Sequence, residues 1–461
     1  MKHLAALLLV VPLLAAARLP PPVQEALARA RVPEKSVALV VAPADPGATL
    51  VTHRALEPMN PASVMKLLTA HAALDLLGPA FTFRTEALVM GELSGGVLSG
   101  DLHLKGGGDP KLTYERLWQL LRQLRTRGVR EIRGDIVIDR SYFAPVAHDA
   151  SRFDQSPARA YNVGADALLL NYQVIDFRFA PTPDGIRVIP VPDLPTVEVA
   201  SRIEATKDAC GAWRTGLTYE VMPNGLLATV VFSGRYAVAC GEQSWPLSVL
   251  DAPRHAEAML RWLWSDAGGV LRGTVREGKV PAEARLVFRH ESEPLPVLVR
   301  DMNKFSSNVV ARHLFLALSA ERTGVGEARA SEALVRRWLA ERGIDAPELV
   351  LENGSGLSRA ERMSAGTVAN LLRSAWQGPH MPELAASLPV YGVDGTFRNR
   401  GGGGVGRAHM KSGGLADVQA AAGYVLDRKG RRWIVVMVVN HANASATVPA
   451  FDALLEWVVA R

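Results

Sequence analysis

The sequence predicts an α/β protein with more than one domain, in which a mostly β segment interrupts a mixed α/β domain. Three observations support this prediction. A helical period of apolar residues runs through positions 61–78 and returns after about position 286, and short alternating strands separated by Gly, Pro and Asp lie between. The chain then closes on a strand hairpin and an apolar helix. With 461 residues, 48% of them hydrophobic and 21% charged, the chain is long enough for two or three cores.

The N-terminal residues predict a signal peptide. Lys2 precedes an apolar run that is too short to span a bilayer and that ends on three alanines at positions 15–17. We therefore expect residues 1–17 to be removed. The alternative is an N-terminal core helix, which Arg18 and the prolines at 20–22 would end abruptly. Elsewhere no stretch reaches about 18 uninterrupted apolar residues, so we expect a soluble mature protein without a transmembrane segment.

The first part of the mature chain is predicted to contain two helices and a hairpin. Residues 23–31 are helical in pattern, and residues 36–41 and 49–53 form strands on either side of the turn-rich stretch ADPGA. Pro61 then opens an amphipathic helix with apolar residues at helical spacing, and Gly78 suits its C-terminal cap.

The middle and last parts differ in pattern. Strands are predicted at 82–89, 97–104, 135–138, 186–189 and 227–232, with one helix at 112–127. Helices return at 297–305, 309–321, 327–342 and 365–376, followed by strands at 417–426 and 433–440 and a helix at 448–461. We predict one α/β domain from residues 18–82 and 286–461, an inserted β-rich domain from residues 83–175 and 250–285, and a nested small β domain at 176–249.

Cys210 and Cys240 are the two cysteines of the chain. Because export places thiols in an oxidising compartment, we predict that these two form a disulfide within the nested β domain. The alternative is a pair of buried free thiols.

Charge and histidine patterns argue against two classes of function. The chain carries 52 Lys and Arg against 46 Asp and Glu, and its basic residues are scattered rather than gathered in a stripe, so a nucleic-acid partner is poorly supported. Its 11 histidines form no H-E-x-x-H or H-x-H motif. We therefore expect no catalytic metal.

The first candidate site is Ser63-x-x-Lys66 at the start of a predicted helix. Lys66 is the one lysine of ten with a serine three positions before it, and this spacing places both side chains on one helix face. A helix N-terminus offers free N–H groups, and a buried lysine loses its proton more readily. The pair is therefore a candidate nucleophile and base. Taken alone, Ser63 is better explained as an ordinary helix-start residue.

The second candidate is Ser306-Ser307-Asn308, the one S-x-N of the chain. It falls at the break between two predicted helices. The alternative is an ordinary N-cap, because Ser and Asn are favoured at that position.

The third candidate is Lys411-Ser412-Gly413, the one K-[ST]-G of the chain, on a strand that leads into the final hairpin. Gly413 and Gly414 leave the strand edge open to a peptide that binds as an added strand. A lysine beside a hydroxyl can hold a terminal carboxylate. The alternative is an exposed turn.

The three motifs, each present once and in this order, resemble the acyl-serine set of penicillin-binding proteins and class A β-lactamases. The wider sequence is similar to the D-alanyl-D-alanine carboxypeptidase/endopeptidase family, the class C low-molecular-mass penicillin-binding proteins, over nearly the whole mature chain. The similar segments are PASVMKLLTAHAALDLLGP, GDLHLKGGGDPKLT, IRGDIVIDRSYF, MNKFSSNVVARHLF, NGSGLSRAERMS, YGVDGTFRNR and AHMKSGGLADVQAAAGYV.

This resemblance implies a fold and an activity. The fold is a penicillin-binding-protein/β-lactamase-like transpeptidase domain, an antiparallel sheet with helices, split by a large insertion between Ser63 and Ser306. The activity is that of a periplasmic serine DD-peptidase that acts on peptidoglycan stem peptides, needs no cofactor or metal, and is covalently inhibited by β-lactams.

The resemblance also implies residue roles. Ser63 attacks the carbonyl between the last two D-alanines, Lys66 accepts its proton, and Ser306 with Asn308 relays the proton and positions the peptide. Lys411 supplies positive potential.

The strand that carries Lys411 has further implied roles. Ser412 binds the substrate carboxylate, Gly413 keeps the strand edge accessible, and the backbone N–H groups of Ser63 and Gly414 form an oxyanion hole.

Two outer positions are implied to bind the diamino acid of peptidoglycan. Asp154 is expected to receive its free amine, and Arg359 of GSGLSR matches an arginine of the same subsite. The alternatives are a solvated loop carboxylate and an ordinary surface arginine. Two departures from the family pattern are Ser307, where an Asp is common, and Ala416, where some relatives have a polar residue.

Two other functions remain open at this point. A serine β-lactamase would share the acyl-serine chemistry, but its best candidate for a deacylating carboxylate, Glu348 before Asn353, misses the class A spacing by one residue. The other is a non-catalytic envelope protein with a penicillin-binding fold, against which the intact Ser63, Lys66 and Lys411 argue.

Overall fold

The computed structural model describes residues 18–145, 148–225 and 227–461. The predicted signal peptide, residues 1–17, lies outside the described residues. Along the part described, the helices are α1 (Pro21–Arg29), α2 (Lys66–Leu76), α3 (Tyr114–Thr126), α4 (Ala252–Asp266), α5 (Leu295–Lys304), α6 (Asn308–Thr323), α7 (Ala328–Glu341), α8 (Ala365–Gln377), α9 (Met381–Ser387) and α10 (Val448–Val459). No helix within the described ranges is long and apolar enough to cross a membrane.

A five-stranded antiparallel sheet joins the two ends of the chain. Its order is β16-β17-β18-β1-β2, with β1 at Val37–Pro43, β2 at Val51–His53, β16 at Ala408–Leu415, β17 at Val418–Leu426 and β18 at Arg432–Asn440. The central strands β1 and β18 are apolar along almost their whole length because both faces of the sheet are covered. One face packs on α1 and α10, and the other packs on a bundle that includes α2, α5, α6 and α8.

The middle of the chain forms a second structure with its own hydrophobic core, which contains residues between Ala87 and Phe288. Its largest sheet runs β13-β5-β4-β3-β15, with β6 and β14 beside it; the strands are β3 (Arg84–Ser94), β4 (Val97–Lys105), β5 (Glu131–Ile132), β6 (Ile136–Asp139), β13 (Val270–Leu271), β14 (Val275–Glu277) and β15 (Arg285–Glu291). Helices α3 and α4 pack together within this part.

Two three-stranded sheets lie within the middle segment. One has the order β12-β7-β8 and the other β10-β11-β9; the strands are β7 (Ile175–Thr182), β8 (Gly185–Val191), β9 (Val197–Thr206), β10 (Leu217–Asn224), β11 (Leu227–Ala237) and β12 (Gln243–Leu247). The predicted disulfide between Cys210 and Cys240 is present here, with the two Cα atoms 4.7 Å apart. That prediction is confirmed.

The predicted fold class is confirmed, and the structure differs from the sequence prediction in two details. The expectation of one helix in the middle stretch is wrong, because α4 is a second one; Asp251 accepts the backbone N–H of Arg254 as its N-cap. The division into three domains stays a proposal, and the pairing of β15 with β3 favours a second boundary after residue 291 rather than at 286.

Candidate active site

Ser63 lies in a single 3₁₀ turn, Ala62–Met65, that leads directly into α2 at Lys66. Ala62 has a φ of 45°, in the left-handed region that favours glycine. The turn also packs tightly against a second loop, since a Cβ on Gly356 would lie 1.9 Å from the Ala62 carbonyl oxygen. The local backbone therefore holds Ser63 in one fixed orientation.

Lys66 is fully buried, and its Nζ has three close partners. The nitrogen lies 2.9 Å from Ser63 Oγ, 2.7 Å from Asn308 Oδ1 and 2.5 Å from the Ser355 carbonyl oxygen. The last two oxygens can only accept hydrogen bonds, whereas the serine hydroxyl can donate one. A protonated amine can donate to all three oxygens, and a neutral amine can donate its two N–H groups to Asn308 and Ser355 and leave its lone pair for the Ser63 hydroxyl.

The charges around Lys66 favour that neutral form. Burial lowers the pKa of Lys66 well below its usual value, and the positive charges of Lys411 and Arg312 lower it further, whereas Glu361 raises it. An amine that loses its proton more readily can act as a general base.

Ser306 and Asn308 occupy the break between α5 and α6, as the sequence predicts. Ser306 has a φ of 56°, which turns the chain sharply between the helices. The Ser307 hydroxyl oxygen accepts the backbone N–H of Val310 and caps α6, so the residue that replaces the common Asp has a structural partner of its own. Asn308 also donates from Nδ2 to the Tyr161 carbonyl oxygen at 3.2 Å, which ties the inserted segment to the site.

Lys411 reaches the same site from β16. It is fully buried, and its Nζ donates to Ser306 Oγ at 2.9 Å and to the Ser412 carbonyl oxygen at 2.7 Å. Burial lowers the pKa of Lys411 from 10.5 to about 7. The structure thus brings the three sequence motifs together through two lysines, one bonded to Ser63 and one bonded to Ser306.

Strand β16 is the edge of the five-stranded sheet and borders the turn that carries Ser63. A Cβ on Gly413 would lie 2.7 Å from the Pro61 carbonyl oxygen and 3.1 Å from the Ser63 nitrogen, so a side chain at this position would push the strand away from Ser63. Among the residues that the structure describes, only the end of Gln419, at 3.9 Å, lies close to a Cβ on Gly414. The Ser412 hydroxyl shares a 2.7 Å hydrogen bond with Thr396 Oγ1.

The two outer residues lie on neighbouring loops and have protein partners. Asp154 Oδ1 accepts the Nδ2–H of Asn162 at 2.8 Å, and its Oδ2 accepts the Tyr161 hydroxyl at 2.5 Å and pairs with Arg159 at 3.2 Å. These donors hold the pKa of Asp154 below its usual value despite partial burial, which raises it. The structure therefore engages the Asp154 carboxylate within its own loop.

Arg359 lies on the other side of that loop. Its Nη1 pairs with Asp417 Oδ1 at 2.8 Å, and its guanidinium stacks over the ring of Phe153, next to Asp154 in sequence. Asp154 and Arg359 are thus near each other through Phe153 but are not bonded to each other.

Three parts of the site are not indicated by the motifs. The Ser355 carbonyl, the Thr396 hydroxyl and the Tyr161 carbonyl come from loops far from Ser63 in the chain. The sequence signal for Ser355 is the glycine-rich NGSGLS stretch, which also leads to Arg359. Glu348, considered there as a deacylating carboxylate, instead accepts hydrogen bonds from the Ser364 N–H and the Thr367 hydroxyl at the start of α8.

The fold and the site together define a class of protein, the acyl-serine enzymes with a penicillin-binding fold. Comparison with known sequences gives the family. The chain matches the D-Ala-D-Ala carboxypeptidase 3 (S13) family over residues 20–459 and belongs to it. The predicted class, a serine-type DD-peptidase that acts on peptidoglycan, is confirmed by this membership.

Individual relatives agree with the family. A D-alanyl-D-alanine carboxypeptidase of Actinomadura sp. (strain R39) is 30% identical over 440 residues, which cover 90% of this chain and 80% of the relative. D-alanyl-D-alanine carboxypeptidase DacB of Haemophilus influenzae is 28% identical over 400 residues, 83% of this chain and 80% of the relative. Penicillin binding protein 4 (dacB) of the same organism has a crystal structure with a TM-score of 0.78 and 23% identity, covering 94% of this chain and 98% of its own.

Proposed function

We propose that Ser63 is the acylated nucleophile and Lys66 its general base in the removal of terminal D-alanine from peptidoglycan stem peptides. The observation that carries this assignment is the set of three contacts at Lys66 Nζ. Two acceptor oxygens take the N–H groups of a neutral amine, so its remaining lone pair faces the Ser63 hydroxyl 2.9 Å away. The amine takes the proton as Ser63 Oγ bonds to the carbonyl carbon.

The second half of acylation needs a proton for the leaving D-alanine amine. Ser306 Oγ, bonded to Lys411, is positioned to pass a proton onward and to regain one from Lys411 Nζ. Asn308 orients Lys66 through Oδ1 and ties the site to the inserted segment through Nδ2. The two lysines, one bonded to Ser63 and one bonded to Ser306, then serve different steps.

The C-terminal carboxylate of the substrate is proposed to bind beside β16. Lys411 supplies the positive charge, and Ser412 with Thr396 supplies two hydroxyl groups. A peptide that lies along the open edge of β16 would receive backbone hydrogen bonds there. The N–H groups of Ser63 and Gly414 face the reacting carbonyl as the oxyanion hole, and water then hydrolyses the acyl-enzyme.

Hydrolysis of peptide crosslinks is a finer proposal for the same site. It requires a place for the diamino acid, and Asp154 and Arg359 are the proposed binding groups. Bd0816, a predatory endopeptidase of Bdellovibrio bacteriovorus, shares the fold with a TM-score of 0.54 at 15% identity. In this chain a substrate amine would compete with Arg159 for the Asp154 carboxylate.

The periplasm is the proposed location. Two features support it: the predicted signal peptide, and a proposed substrate that lies outside the inner membrane. β-Lactams are the proposed covalent inhibitors of Ser63. Penicillin binding protein 4 of Haemophilus influenzae, which shares the fold, has been crystallised with a novel β-lactam.

One experiment tests the activity and its range. The purified mature protein is incubated with un-crosslinked pentapeptide muropeptides and, separately, with crosslinked dimers, and the products are separated by chromatography. Release of D-alanine from the pentapeptide supports the carboxypeptidase proposal, and conversion of dimers to monomers supports the endopeptidase proposal. A separate sample of the protein is labelled with penicillin to show that the site is folded. If that sample is labelled but the pentapeptide stays intact, the proposed reaction is contradicted.

A further inference from the structure

Glu361 is a buried carboxylate that the proposed reaction does not use. The side chain is fully buried at the end of the NGSGLSRAE loop. Its Oε1 accepts the backbone N–H groups of Glu352 and Asn353, at 3.1 and 3.0 Å. Its Oε2 is buried and has no hydrogen-bond partner among the described residues. Burying such a group is costly, so its retention calls for a physical reason.

The loop at residues 352–358, which is held by Glu361, lies against the start of α2. Asn353 Oδ1 accepts both the N–H and the hydroxyl of Ser355, at 2.9 and 2.6 Å, which fixes the direction of the Ser355 carbonyl. That carbonyl is the one bonded to Lys66 Nζ. Glu361 therefore acts on the catalytic amine through a short chain of hydrogen bonds: carboxylate to loop backbone, Asn353 to Ser355, and Ser355 to Lys66.

The same loop contacts the catalytic segment at two other places. The Gly354 carbonyl accepts the Thr69 hydroxyl at 2.6 Å, and the Ser358 carbonyl accepts Asn60 Nδ2–H at 2.8 Å. These contacts lie on both sides of Ser63 in sequence. A shift of the loop would therefore displace Ser63 and Lys66 relative to each other.

Charge gives Glu361 a second effect on Lys66. The charged groups that act on Lys66 are Lys411 from β16, Arg312 from α6 and Glu361 from the loop, and Glu361 is the one negative charge among them. Burial raises the pKa of Glu361 above its usual value, and its two backbone hydrogen bonds and the charge of Lys66 offset only part of that rise. Glu352, whose own carboxylate accepts the Ser358 hydroxyl at 2.5 Å, is the nearby group that opposes its ionisation.

We propose that Glu361 is a positioning residue for acylation, which fixes the loop that presents the Ser355 carbonyl to Lys66 and balances the two positive charges around that amine. The proposal rests on the proposed function, in which Lys66 must lose a proton before it can accept one from Ser63. Glu361 sets where Lys66 lies and at what pH it becomes a base.

The test is the pH dependence of acylation. The second-order rate of acylation by a fluorescent penicillin is measured across the acidic and neutral range for the wild type and for Glu361→Gln, Glu361→Asp and Glu348→Gln. The Gln variant keeps an oxygen for the two backbone donors but removes the charge, and the Asp variant keeps the charge but withdraws it by one methylene. Glu348 is the matched control, because its Oε1 also accepts a backbone N–H but serves α8.

We expect Glu361→Gln to move the acidic limb of the curve of acylation rate against pH to lower pH, by roughly half a unit to one unit. The reason is that Lys66 loses the nearby negative charge that favours its protonated form. Glu361→Asp should lower the rate by about tenfold or more through misplacement of Lys66, with the limb unmoved. The control variant should match the wild type in both respects.

Three results would overturn the proposal. An acidic limb unchanged in the Gln variant, with a rate reduced equally at every pH, would make Glu361 a structural residue only. If the Gln variant does not fold, wild-type rates in the Asp variant would refute the positioning role. A folded wild type that penicillin does not acylate would contradict the proposed function itself. This failure can be distinguished from failure of the Glu361 proposal, because it is seen in the wild type without any variant.

Discussion

Replacing Lys411 with methionine should make the protein more stable and inactive. Lys411 is fully buried, and its pKa falls from 10.5 to about 7 on folding because burial disfavours the ammonium form. An unfolded chain binds this proton up to about pH 10.5, whereas the folded chain releases it above about pH 7. The free energy of unfolding therefore rises with pH between these two pKa values. Below about pH 7 the folded protein carries the full cost of burying the charged amine.

The magnitude follows from the size of the pKa shift. At 1.36 kcal/mol per unit, the buried amine costs about 4 kcal/mol near pH 7 and about 2 kcal/mol near pH 9. Methionine has a similar volume and no charge, but it leaves Ser306 Oγ and the Ser412 carbonyl without their Lys411 donor, at a cost of about 1–3 kcal/mol. We expect a net gain of about 2 kcal/mol near pH 7 that disappears near pH 9.

The assay is urea unfolding of the wild type and of Lys411→Met at about pH 7 and about pH 9, with unfolding monitored by tryptophan fluorescence. The difference between the two proteins in unfolding free energy should change by about 2 kcal/mol between these conditions. Titrating groups away from Lys411 are common to both proteins and cancel in the comparison, whereas the pKa of the neighbouring Lys66 rises when the charge of Lys411 is removed. A difference that does not change with pH would refute the depressed pKa of Lys411, and with it the argument that this lysine trades stability for function.

The remaining predictions concern the nucleophile, its base, the outer loop and the disulfide. Ser63→Ala should abolish penicillin labelling with little change in Tm; retained covalent label would show another nucleophile. Lys66→Arg should be nearly inactive, because a guanidinium does not deprotonate in proteins, and near-normal acylation would place the base elsewhere. Asp154→Ala should slow turnover of peptides with a free diamino-acid amine but leave penicillin acylation almost unchanged; equal loss on both would show that its bonds within the loop are its main role. Replacing Cys210 and Cys240 with serine should lower the unfolding free energy by about 3–4 kcal/mol, measured by urea titration, and an unchanged midpoint would contradict this.

Local sequence patterns predicted much of the fold because they report on which faces are buried. The apolar period of α2 and the strands of the final hairpin were visible in the chain itself. Helix α4 is not predicted, although it has an N-cap at Asp251 and apolar residues at helical spacing. It lies among short strands whose alternating pattern dominates this part of the sequence.

The catalytic motifs were predictable for a different reason. Each is a short segment whose residue types are set by chemistry, so Ser63 and Lys66 can be found without knowledge of their surroundings. The partners of Lys66 could not be found this way. The Ser355 carbonyl is a backbone group, and its position depends on a glycine-rich loop that is 289 residues further along the chain. Tertiary folding alone brings it to the amine.

The order of strands in the catalytic sheet has a consequence for how the enzyme matures. β1 pairs with β18 along Val37–Pro43, and its partner strand is synthesised about 400 residues later, so the centre of the sheet cannot close until the end of the chain has been made. The inserted segment has its own core and pairs its strands over shorter separations, and it is free to fold first. Lys411 arrives only with the last strands. A chain that ends before β16 therefore carries Ser63 but lacks the second lysine, and we expect it to be inactive.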